Sequence, residues 1–137
     1  MPLSAATLRL DNAAGQVLTH PGGYVVFVYK PGPRTLADLQ TLIQGAAQLL
    51  TAYDWHRVLG DQRQMAPLTP EQSAWLVQFW QQHTRQHRPL YAAVVLAQDV
   101  FARLATSQLK QQMSEAGIAY RQFAAEAEAV AWLAQAG

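Results

Sequence analysis

Apolar and polar residues change period several times along this chain, and each change marks an element. Thr7-Leu8-Arg9-Leu10 alternates and ends at Asp11-Asn12, a turn signal. Val17-Leu18-Thr19-His20 fits as its hairpin partner, and Pro21-Gly22-Gly23 then breaks the chain. Tyr24 to Tyr29 is a near-continuous β-branched and aromatic run, the pattern of a central strand covered on both faces. Pro31 and Pro33 cannot continue it, since neither carries a ladder donor. From Thr35 to Ala52 the period lengthens. Leu36, Leu39, Ile43, Ala46 and Leu50 recur at helical steps, and Asp38, Gln40, Thr41, Gln44 and Gln48 fill the opposite face.

Beyond this helix, short apolar runs alternate with amphipathic segments. Trp55 to Gly60 is a strand, with Asp61 at its end; Thr69 to His87 is a helix opened by Thr69, Pro70 and Gln72. Leu90 to Ala97 is a buried strand and Phe101 to Ala116 a helix stopped by Gly117. Ile118 to Phe123 is a last strand and Glu126 to Gln135 a closing helix. Strands separated by helices need crossover connections, so the order predicts an α/β domain with a mixed sheet and about four flanking helices. At 137 residues the chain is expected to form one domain, with residues 1–23 as an N-terminal hairpin and residues 24–137 as the alternating portion.

Composition narrows the function. Half of the residues are hydrophobic, 14% are charged, and the net charge is +1. No basic run offers a phosphate track, so nucleic acid is not an expected partner. The absence of cysteine excludes disulfides, thiolate catalysis and cysteine-ligated zinc. The longest apolar run, Tyr91 to Ala97, is too short to cross a bilayer. Met1 to Ala6 lacks a signal-peptide pattern, so a cytoplasmic location is expected.

The element order resembles the STAS fold, the domain of anti-sigma-factor antagonists and of the cytoplasmic tails of sulfate transporters. More narrowly it is similar to small bacterial proteins described as anti-sigma-factor-antagonist-like. Three stretches carry the likeness: Arg57-Val58-Leu59-Gly60-Asp61-Gln62-Arg63, Tyr91 to Ala97, and Tyr120-Arg121-Gln122-Phe123 followed by Glu126 to Leu133. The resemblance implies a non-enzymatic regulatory module that docks reversibly on a protein partner or on itself as a homodimer. It also implies a phosphorylated serine or threonine after the acidic strand end. The family's Asp-Ser-Ser/Thr-Gly pattern is absent; Asp61 is followed by Gln62-Arg63-Gln64-Met65-Ala66-Pro67-Leu68 before Thr69, the nearest hydroxyl.

Candidate residues fall into three groups. Asp61, Arg63 and Asp99 lie past strand ends, on the edge where open α/β sheets bind ligands, with Met65 and Thr69 on the same connection. Asp99 and Thr69 are equally well placed as helix caps. Trp75, Phe79 and Trp80 form an aromatic stripe, either core or the wall of a contact surface or apolar pocket. His83 and His87, four apart, continue that stripe and are candidate metal ligands that lack a third partner in sequence. No cofactor is implied. Beside the interaction module stand two further readings: a binder of a small apolar ligand or lipid between helix and sheet, and a metal-dependent hydrolase.

Overall fold

The computed structural model describes residues 5–137. Met1 to Ser4, on which the expected opening of the hairpin region and part of the expectation about a leader rest, lie outside the described residues. The elements are β1 (Thr7–Asn12), β2 (Gly15–His20), β3 (Tyr24–Tyr29), α1 (Leu36–Tyr53), β4 (Arg57–Asp61), α2 (Pro70–Gln86), β5 (Leu90–Val95), α3 (Val100–Glu115), β6 (Ile118–Phe123) and α4 (Glu126–Gln135). They build one six-stranded mixed sheet in the order 1-2-3-4-5-6. The first three strands pair antiparallel and the last four parallel. This is the α/β class that the alternation of periods predicts.

Local chemistry closes each element. Asn12 Oδ1 accepts from the Ala14 backbone N at 2.8 Å and tightens the first hairpin. Gly15 admits no side chain, because a Cβ there would sit 2.2 Å from the carbonyl oxygen of Val28. Thr35 caps α1 by accepting from the Asp38 backbone N. Gly117 stops α3 at φ +87°, where other residues are strained.

Strand order steps in one direction from β3 to β6, and right-handed crossovers therefore put α1, α2 and α3 on one face of the sheet. Val25, Phe27 and Tyr29 point to these helices, with Leu39, Ile43, Leu76 and Trp80 packed above them. Tyr24 and Val26 point to the other face, where α4 packs on β4, β5 and β6 and closes a smaller core of Leu59, Ala93, Val95, Ala129 and Leu133. No helix among the described residues is long and apolar enough to cross a membrane.

Candidate functional site

Past Gly60 the alternation of the strand continues for two residues and sends two polar side chains to opposite faces. Asp61 turns toward α4. Its Oδ1 accepts from Arg63 Nε at 2.9 Å and from the Arg63 backbone N at 3.1 Å, and its Oδ2 accepts from Arg63 Nη2 at 2.7 Å. Arg63 Nη2 also reaches Glu126 Oε1 at 3.3 Å, on the first turn of α4. Burial pushes the Asp61 carboxyl up, but the side-chain and backbone bonds from Arg63 outweigh it and hold the group below its ordinary value. The structure thus brings Asp61 and Arg63 together as a mutual pair that fastens the connection. Asp99 is engaged elsewhere: its Oδ1 accepts from the Ala102 backbone N at 2.9 Å and caps α3. The two loops still touch, since Gln98 donates its backbone N–H to the Arg63 carbonyl at 3.1 Å.

Gln62 turns to the three-helix face, and the chain from Gln62 to Thr69 folds over the end of that core. Met65 and Leu68 are buried beneath this segment. Met65 is therefore not a rim residue; its apolar side chain fills the core instead of meeting solvent. Arg34 clamps the segment from outside. Its Nη2 donates to the Ala66 carbonyl at 2.7 Å, its Nη1 to Gln72 Oε1 at 3.1 Å, and its guanidinium lies over the Tyr29 ring. Gln72 Nε2 returns a bond to the Arg34 carbonyl at 3.0 Å. In sequence Lys30 to Arg34 is a plain connection; the hydrogen-bond partners of the Arg34 side chain lie more than thirty residues away, so no local pattern marks it. Thr69 forms a full capping box with Gln72, its hydroxyl accepting from the Gln72 backbone N at 3.1 Å.

Behind this segment lies a cavity of about 80 Å³ between the sheet and helices α1 to α3. Gly60 and Ala92 form part of its floor, and Met65, Trp80 and Met113 part of its walls. One end is polar. Gln62 Nε2 donates to Tyr120 Oη at 3.5 Å, while Gln62 Oε1 is buried with no partner. Burial pushes the Tyr120 hydroxyl up to about 12, against the pull of the bond from Gln62, so it is a neutral phenol at neutral pH.

The aromatic stripe divides. Trp80 is only 7% exposed and belongs to the core, so it is not available as a contact surface. Trp75 and Phe79 stack at 5.1 Å and are half-buried at its edge. His83 is buried against Phe79 and Trp80, and His87 is exposed with its ring 4.5 Å from that of His83. Desolvation, and then the neighbouring His87, push the His83 pKa down. His56, distant in sequence, lines the same cleft as both. Even so, no group of three or more metal-binding side chains occurs among the described residues.

An apolar patch that the sequence pattern does not single out lies on α3. Val100, Phe101 and Leu104 are 71%, 73% and 58% exposed on its first turns. A signal is present all the same: α3 buries Ala102, Thr106, Leu109 and Met113, and the three exposed residues fall outside that stripe.

No family model, curated protein or solved structure matches this chain. Fold and geometry define an α/β domain with an apolar outer helix face and a small polar-ended cavity.

Proposed function

We propose that the chain is a non-enzymatic regulatory module of the bacterial cytoplasm, akin to anti-sigma-factor antagonists, that acts by protein contact. Its contact face is the outer side of α3, flanked by the Asp61–Thr69 segment, and the partner is a second copy of the chain. The observation that carries this reading is the exposure of Val100, Phe101 and Leu104 on adjoining turns of one helix. Self-association is supported by the surroundings of that patch. Ser107 and Gln108 continue it without charge, Asp99 is engaged as a cap, and Arg103 is turned back onto the Ala97 carbonyl at 2.9 Å. An apolar face of this kind needs no oppositely charged partner and does not repel its own copy across a two-fold axis. The capping box at Thr69 supports a module without the phosphorylation switch, because the hydroxyl is committed to the helix start.

Sedimentation velocity across the micromolar range tests the proposal. The wild-type chain is expected to shift from monomer to dimer mass, and Phe101→Glu to remain monomeric with an unchanged circular dichroism spectrum. A wild-type chain that stays monomeric throughout overturns self-association as the mode of action.

A further inference from the structure

We infer that the cavity beneath the Gln62–Thr69 segment is a binding site for a small apolar molecule, about the size of a five-membered ring, that carries one N–H or O–H donor. Three observations carry this. First, the space comes from the sequence and is not forced by backbone geometry. A Cβ built at Gly60 would meet Val94 Cγ2 at 3.6 Å, an ordinary contact, so an alanine has room there and the chain leaves it open. Tightly packed interiors rarely keep such a void, since filling it gains dispersion and apolar burial.

Second, the cavity is not uniformly apolar. Gln62 is 6% exposed and lines the cavity, and its Oε1 is buried with no partner. A buried acceptor left unpaired costs stability, and a donor on a ligand would restore the bond. Tyr120 Oη already accepts from Gln62 Nε2 and keeps its own proton to offer beside that acceptor. Third, the walls can give way. Met65 and Met113 are unbranched and adapt to a guest more readily than β-branched residues do. The volume of about 80 Å³ sets the size limit, well below the roughly 150 Å³ of an apolar protein cavity that accepts benzene.

Pyrrole and furan make the test, being of one shape and differing in the N–H. Binding is read by thermal melting and by the fluorescence of Trp80, which lines the cavity. The wild-type chain is expected to bind pyrrole about tenfold or more tightly than furan. Gln62→Leu is expected to bind both alike. Gly60→Val is expected to bind neither while melting no lower than wild type, and Gly60→Ala provides a milder filling should the valine variant fail to fold. Failure of the wild-type chain to bind either compound would show a cavity that holds water only and would overturn the inference. Equal binding of the two by wild type, or a preference that survives Gln62→Leu, overturns the role of the unpaired carboxamide oxygen.

Discussion

Helices α2 and α3 lie side by side on one face of the sheet, with 17 and 16 residues, yet they dispose of their large apolar side chains differently. Helix α2 carries two tryptophans and a phenylalanine and turns its bulk inward, with Leu76 and Trp80 in the core. Helix α3 has an ordinary amphipathic sequence but leaves Val100, Phe101 and Leu104 in solvent. Size and aromatic character therefore do not mark a surface. What marks it is the angular position of a residue relative to the buried stripe of its own helix.

The sharpest break of this comparison is Trp80→Ala, expected to cost about 3–5 kcal/mol in urea unfolding. A cost near that of a surface substitution would put the α2 aromatics outside the core and void the contrast. Arg34→Met removes the clamp that joins the α2 start to the segment over the cavity. It is expected to cost about 1–3 kcal/mol and to speed proteolysis between Gln62 and Thr69. Thr69→Ala, which takes the capping box from α2, is expected to cost about 1 kcal/mol.

The pH dependence of stability sharpens the same picture at the far end of α2. The folded pKa of His83 lies below its ordinary 6.5, so the unfolded chain takes up the proton first. Its contribution is intact well above pH 6.5 and is lost as pH falls through and below that value. His83→Gln is expected to flatten the fall in melting temperature on acidification, with a residual slope from His56, whose pKa burial also lowers. An unchanged slope would mean that His83 is solvated. The smallest effect on stability belongs to α3: Phe101→Ala is expected to change it by no more than about 0.5 kcal/mol.

Much of the fold is legible in the sequence because the local signals agree. The strict helical period of Leu39, Ile43, Ala46 and Leu50, the Thr69-Pro70-Gln72 start and the Gly117 stop each name an element without tertiary help. Boundaries move by one or two residues, as at Trp55, where the expected strand begins at Arg57 instead. The site is less legible. Asp61 and Arg63 are visible as a polar strand end, but their closure on each other and on Glu126 depends on α4 folding back over the second face. Gln62 gives no signal because a glutamine after a strand is ordinary; only burial beside Tyr120 makes its free oxygen unusual. Arg34 is hidden by sequence distance, and the α3 patch by its resemblance to an ordinary amphipathic helix.

Site-directed cross-linking tests the central claim, that the outer face of α3 is where two copies meet. The chain has no cysteine, so one introduced thiol reports on one place. Leu104→Cys, near the expected two-fold axis, is predicted to form a disulfide-linked dimer rapidly under mild oxidation. Gln48→Cys, exposed on α1, is predicted to stay monomeric under the same conditions. Equal, slow cross-linking at both positions would contradict the account and return α3 to the status of a solvated helix.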